Sequence, residues 1–135
     1  MSKQYVIGLD FGTDSVRSVL VDAADGNTLG SKVHWYRRWK EGKYCNPEQN
    51  QFRQHPLDLI EGMEATIRDV IKETGVKADQ VKGICIDTTG SSPIPVDKSG
   101  TALSLLPDRT ARQCLIEAVE RLSVRKGPGD SGEAA

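Results

Sequence analysis

Two extended segments joined by a four-residue break constrain this chain more than any other feature. Tyr5 to Asp10 is a short apolar run suited to a buried strand, and Ser15 to Asp22 alternates apolar and polar residues as a second strand does. Only Phe11-Gly12-Thr13-Asp14 separates them. Ala24-Asp25-Gly26-Asn27 is a further turn signal, and Thr28 to Tyr36 follows as a third extended segment, so the first 36 residues read as an antiparallel meander.

Beyond the meander the pattern changes. Residues 37–54 are polar, charged and irregular. His55-Pro56 then opens a helix, with proline early where its missing N–H does no harm, and Ile60, Met63, Ile67, Val70 and Ile71 recur at helical spacing until Gly75 ends it. Val81 to Asp87 carries Val81, Ile84, Cys85 and Ile86 and suits a fourth strand buried in a sheet, with Cys85 as a core residue. Pro93 to Val96 and Thr101 to Leu106 flank Asp97-Lys98-Ser99-Gly100 as a hairpin. Ala111, Leu115, Ala118, Val119 and Leu122 then suggest an amphipathic helix, and residues 127–135, rich in Gly, Pro and Ser, are expected to be disordered.

Composition sets the outer bounds. With 135 residues the chain has room for one ordinary domain. A formal net charge of -1, from 18 Lys+Arg and 19 Asp+Glu, gives no global reason to hold nucleic acid or an anionic membrane. There is no apolar run of spanning length and no signal-peptide pattern at the start, which reads as a cytoplasmic chain. Cys45, Cys85 and Cys114 are widely spaced and support neither a disulfide framework nor a zinc site. All seven aromatic residues lie at or before Phe52, which leaves the second half poorly equipped to complete a core.

Two segments carry the residue types of a ligand site. In Asp10-Phe11-Gly12-Thr13-Asp14-Ser15-Val16-Arg17, Gly12 lets backbone approach a ligand closely. The N–H groups of Gly12 and Thr13 and the hydroxyls of Thr13 and Ser15 can donate to phosphate oxygens, with Arg17 adding positive charge. A carboxylate at Asp10 would repel a phosphate unless a hard cation such as Mg2+ lay between them. A plain hairpin with glycine in its turn meets the same pattern. A dinucleotide fingerprint does not, because Gly8 and Gly12 lack its spacing and no helix follows. The second segment, Asp87-Thr88-Thr89-Gly90-Ser91-Ser92, is a hydroxyl-rich loop after a strand and suits a polyol or sugar, or a simple hydrogen-bonded Ser/Thr turn. From Trp35 to Arg53, five basic residues interleave with five aromatics. That arrangement suits packing or the wall of a small-molecule cleft, and less well a surface for single-stranded nucleic acid, since Glu41 and Glu48 dilute its charge.

Together with Trp35-Tyr36-Arg37-Arg38-Trp39 and Asn50-Gln51-Phe52-Arg53-Gln54-His55-Pro56, the Asp10–Arg17 and Asp87–Pro93 motifs resemble the N-terminal part of bacterial ribulokinases, carbohydrate kinases with an actin-like, ribonuclease-H-like core. The likeness runs from Tyr5 to about Pro107, leaving 108–126 as a helix foreign to the family. It implies an α/β fold, the opening of a ribonuclease-H-like domain: a three-strand meander, a helix, a fourth strand and a hairpin. It implies ATP-dependent phosphorylation of L-ribulose at its 5-hydroxyl, a step of L-arabinose catabolism. By the same likeness Asp10 positions Mg2+, Gly12, Thr13, Ser15 and Arg17 face the ATP phosphates, and Thr89, Gly90 and Ser91 lie near the sugar. The family's general base, its adenosine-binding elements and its second domain correspond to nothing in these residues. The chain therefore reads as a truncated piece with a divergent tail, inactive alone and prone to self-association. A non-catalytic actin-like ATPase or interaction module is the alternative.

Overall fold

The computed structural model describes residues 3–90 and 92–107. They fall into two compact units that divide after Pro93. The first unit begins with β1 (Tyr5–Phe11), β2 (Ser15–Asp22) and β3 (Thr28–Trp35), the expected meander. Its alternation has a direct physical cause. Tyr5, Ile7 and Leu9 of β1 and Val16, Ser18 and Leu20 of β2 turn to one face and are buried, while Val6, Asp10 and Arg17 turn to the other and are exposed. The β2–β3 turn closes on Gly26, at φ 77°, whose N–H donates to the Asp22 carbonyl at 2.9 Å.

Residues 37–54 are more ordered than their composition suggests. They form a short helix α1 (Arg37–Lys40) and a two-residue hairpin of β4 (Cys45–Asn46) and β5 (Gln51–Phe52). Local side chains supply the order: Asn46 Oδ1 accepts from the Gln49 N–H at 3.3 Å, and Asn50 takes the left-handed conformation at φ 51° that the tight turn requires.

The long helix α2 (Pro56–Thr74) starts and stops where its sequence signals lie. His55 Nδ1 accepts from the Leu57 N–H at 3.2 Å as the N-cap, and Gly75 closes the C-terminus at φ 69°. Four of the five expected apolar positions pack in the core, and small or polar residues are buried beside them. Asp58, Gly62, Thr66 and Val70 are buried, Met63, Ile67 and Ile71 are partly buried, and Ile60 is 43% exposed. The reason is close approach: Met63, Ile67, Val70 and Ile71 pack in one cluster with Tyr5, Ile7 and Leu9 of β1, while the α2 backbone comes nearest to β2 and β3. There a Cβ on Gly62 would meet Val16 Cγ1 at 2.7 Å, and Ser18 Oγ donates to the Thr66 carbonyl at 3.0 Å. Small residues let the helix settle, and Lys32 of β3 pairs with Glu73 at its far end.

β6 (Val81–Thr88) returns parallel to β1, giving the sheet order β3-β2-β1-β6. The expectation of a buried fourth strand is wrong: Ile84 is 55% and Ile86 59% exposed, and Cys85 is exposed rather than a core thiol. β6 has only β1 beside it among the described residues, and the α2 backbone lies nearest β2 and β3, so of β6 only Val81 packs against the core cluster.

The second unit is described from Ile94 to Pro107. The expected hairpin reduces to a single bridge between Val96 and Ala102. Asp97 Oδ1 takes up the backbone N–H groups of Ser99 at 2.8 Å and Thr101 at 2.9 Å, and Leu103–Leu105 then coils into one 3-10 turn, so pairing goes no further. The expected helix and tail after Pro107 lie outside the described residues.

Candidate functional site

Parallel return of β6 brings together the two segments that the sequence marks separately. In register, Asp10 of β1 stands between Arg17 of β2 and Asp87 of β6, three adjacent positions on the sheet face opposite α2. Neighbouring strands are about 4.8 Å apart, so the two carboxylates share one small region. Asp10 is exposed and has no hydrogen-bond or ion-pair partner among the described residues, while Asp87 Oδ1 accepts from the Thr88 N–H at 2.9 Å. The loop beyond is tied to the turn: the Thr89 N–H donates to the Phe11 carbonyl at 3.3 Å. Thr88, Thr89 and Gly90 are exposed, and Ser91 lies outside the described residues.

The turn itself is held from three sides. The Gly12 N–H donates to the Ser15 carbonyl at 2.9 Å and is therefore engaged inside the turn, contrary to its expected freedom for a phosphate. Ser15 Oγ donates to Asp14 Oδ1 at 3.1 Å. The Tyr36 N–H, just past β3, donates to the Asp14 carbonyl at 2.8 Å. From the segment before α2, Gln54 Nε2 donates to the carbonyls of Gly12 at 3.1 Å and Thr13 at 2.7 Å. A Cβ on Gly12 would stand 3.3 Å from the Ser15 carbonyl oxygen, so glycine suits this closeness. The N–H groups of Thr13 and Asp14 and the Thr13 hydroxyl donate to no other group among the described residues. Gln54 stands in the Asn50–Pro56 motif, but the sequence assigns it no contact with the turn; that contact spans 41 positions, and no spacing rule reports it.

Behind the turn, Tyr36 is buried and its hydroxyl has no partner among the described residues. Burial, reinforced by the charges of Asp58, Asp10 and Asp14, pushes its phenol up to about 12. Asp58, also buried, accepts from the Trp39 N–H at 3.2 Å and from Arg38 at 2.7 Å, and Arg38 reaches Glu61 at 2.8 Å. The hydrogen bond from Arg38 holds the Glu61 carboxyl below its ordinary range. This network fastens α1 to the first turns of α2 and engages Arg38, while Glu41 pairs with Arg37 and Lys43. Less of the basic charge in this arm is thus free for a polyanion than its count suggests. Trp35, Tyr44 and Phe52 remain exposed, and Tyr44 stacks on His55 with centroids 5.0 Å apart. Among the described residues no three His, Cys, Asp or Glu gather as a metal set, and no helix is long and apolar enough to cross a membrane.

Residues 5–121 match the FGGY family of carbohydrate kinases, N-terminal domain. The chain belongs to this family. The match runs to residue 121, beyond the Pro107 at which the motifs end the likeness. A ribulokinase of Vibrio parahaemolyticus serotype O3:K6 is 50% identical over 107 residues, covering 78% of this chain and 19% of the relative. A ribulokinase of Halalkalibacterium halodurans is 40% identical over 112 residues, covering 78% and 20%. The chain thus spans about a fifth of the length of the curated relatives it matches. A gluconate kinase from Lactobacillus acidophilus superposes with a TM-score of 0.61 at 20% identity, over 89% of this chain and 23% of that one. The fold is accordingly α/β and ribonuclease-H-like, as the resemblance implies.

Proposed function

We propose that this FGGY-family chain forms the phosphate and metal end of a sugar kinase that phosphorylates L-ribulose at its 5-hydroxyl with ATP. The observation that carries this reading is the juxtaposition of Asp10, the Gly12–Thr13 turn and the Asp87–Gly90 loop at one end of the sheet. The 50% identical relative is a ribulokinase, and that identity favours a pentulose over other sugars.

The donor set fits the implied groups. Asp10, without a partner among the described residues, and Asp87 offer hard oxygen ligands, and Mg2+ characteristically takes one or two carboxylates and completes its shell with water and phosphate oxygens. Bound there, the cation would neutralise phosphate charge, the largest electrostatic demand in phosphoryl transfer. Thr13, through its N–H and hydroxyl, Ser15 and Arg17 would bind and orient the ATP phosphates, and Gly12 would let them approach. Thr89, Gly90 and Ser91 would hydrogen-bond the sugar. Catalysis of this kind rests on positioning and charge, with a base elsewhere to deprotonate the hydroxyl. Nothing in the resemblance assigns that base to these residues, so the isolated chain should show no sugar-dependent ATP turnover.

The test is a chimera in which residues 5–121 replace the matching segment of the Vibrio parahaemolyticus ribulokinase. It should form ADP in an L-ribulose-dependent way, and Asp10→Asn should lower kcat by about two orders of magnitude with an unchanged melting temperature. Full turnover by Asp10→Asn would remove the metal role. A preference of the active chimera for another sugar would remove the substrate assignment.

A further inference from the structure

Gln54 has no place in the reading above, yet it makes the most directed polar contact with the turn. Its single amide nitrogen reaches two successive carbonyls, those of Gly12 at 3.1 Å and Thr13 at 2.7 Å, from a segment some 41 positions away. In a trans peptide the C=O and the following N–H point in opposite directions. A donor that fixes the Gly12 carbonyl therefore fixes the Thr13 N–H, and one that fixes the Thr13 carbonyl fixes the Asp14 N–H. Both N–H groups are turned away from Gln54, and neither has another partner among the described residues. Two successive free N–H groups make a concavity suited to an anion, provided that the peptide planes do not rotate.

We propose that Gln54 is the positioning residue of the phosphate turn: by holding the Gly12 and Thr13 carbonyls it aims the Thr13 and Asp14 N–H groups at a phosphate. The inference rests on the phosphate reading of that turn. By engaging both carbonyl oxygens, Gln54 also keeps either peptide plane from rotating its carbonyl toward the anion. Gln54 itself is anchored, because the next residue caps α2 through the His55 Nδ1 and the one after begins the helix. A side chain rooted at a helix start can hold a turn more rigidly than one on a free loop.

The test uses the whole chain and pyrophosphate with Mg2+ as the probe, measured by equilibrium dialysis, with hydrogen–deuterium exchange of the segment 11–16 read by mass spectrometry. Gln54→Met keeps the length of the side chain and removes the donor; Gln54→Glu keeps the shape and also removes it. A role of shape alone would survive Gln54→Met, whereas Gln54→Glu also adds a negative charge that weakens anion binding by itself. Loss of two directed hydrogen bonds should weaken pyrophosphate binding about tenfold or more in each variant and speed exchange in 11–16, leaving the rest of β1 and β2 unchanged. Equal affinity in wild type and Gln54→Met would overturn the inference and leave the phosphate reading standing. Weakened binding accompanied by faster exchange throughout β1 and β2 would overturn it too, as a loss of fold. Absence of pyrophosphate binding by the unaltered chain would overturn the phosphate reading and the role of Gln54 with it.

Discussion

His55 illustrates how one side chain carries several duties. It stands in extended backbone at φ -100°, and its Nδ1 accepts the Leu57 N–H as the N-cap of α2. A protonated Nδ1 cannot accept, and burial together with Arg38 lowers the imidazole below its ordinary value, against the opposing pull of Asp58 and Glu61. A folded pKa below the unfolded one means that the unfolded chain binds the extra proton first. The His55 contribution is therefore complete above about pH 6.5 and is lost as pH falls from there through the folded pKa. Glu61, held low by Arg38, loses its contribution only below the ordinary carboxyl range, so the two windows are separate. Urea denaturation at pH 7.5 and 5.5 should show wild-type stability falling, and His55→Asn, which keeps an N-cap acceptor without the titration, should fall less. An equally steep fall in both proteins would mean that His55 is not the titrating group. The role of His55 as a helix-entry residue is legible from the proline that follows it. That of Gln54 is not, because a contact between residues far apart in sequence leaves no periodic trace.

At the level of elements, the existence of α2 follows from its caps and its period, whereas the face it buries follows from what it meets. An apolar stripe through Ile60, Met63, Ile67, Val70 and Ile71 predicts a broad greasy contact. Met63, Ile67, Val70 and Ile71 do pack in the core, but the closest approach is made by Gly62 and Thr66 against β2 and β3, and Ile60 stays 43% exposed. Helix propensity and packing then oppose each other at Gly62. Alanine favours a helix interior over glycine by about 1 kcal/mol, but its Cβ would lie 2.7 Å from Val16 Cγ1 and 3.3 Å from His34 Cδ2. Overpacking of a well-filled contact costs about 1–3 kcal/mol, so Gly62→Ala should lose up to about 2 kcal/mol net in urea denaturation. Gly83→Ala on β6, where a Cβ meets nothing within 4 Å, is the control and should be neutral or slightly stabilising. A gain of stability at Gly62→Ala would show that α2 can lift off the sheet without cost.

For the molecule as a whole, β6 decides how the chain behaves in solution. Its sequence, with Val81, Ile84, Cys85 and Ile86, has the composition of a central strand, and composition alone cannot report what lies beside or above it. Pairing with β1 uses one edge: the Thr89 N–H points to β1, so by alternation Cys85 and Asp87 face inward and Ile84, Ile86 and Thr88 turn their N–H and C=O groups outward. No strand pairs with that outer edge among the described residues, and the Ile84 and Ile86 side chains are 55% and 59% exposed on the sheet face that carries the core. Covering two such side chains removes roughly 200 Å2 of apolar surface from water, about 5 kcal/mol at 25 cal/mol per Å2 as an upper figure. That is comparable with the whole stability of a small domain. An open edge supplies backbone donors and acceptors for the same event, and none of Ile84, Ile86 and Thr88 carries a charge to guard it. The chain should therefore associate with itself as concentration rises, through β6. Sedimentation velocity over a dilution series should show oligomers that dissociate on dilution, and Ile84→Lys or Ile86→Lys should shift the distribution toward monomer while leaving the thermal transition of α2 and β1–β3 in place. A wild-type chain that sediments as a monomer at the highest soluble concentration, or one whose oligomers persist unchanged in both variants, would place the association elsewhere than on β6.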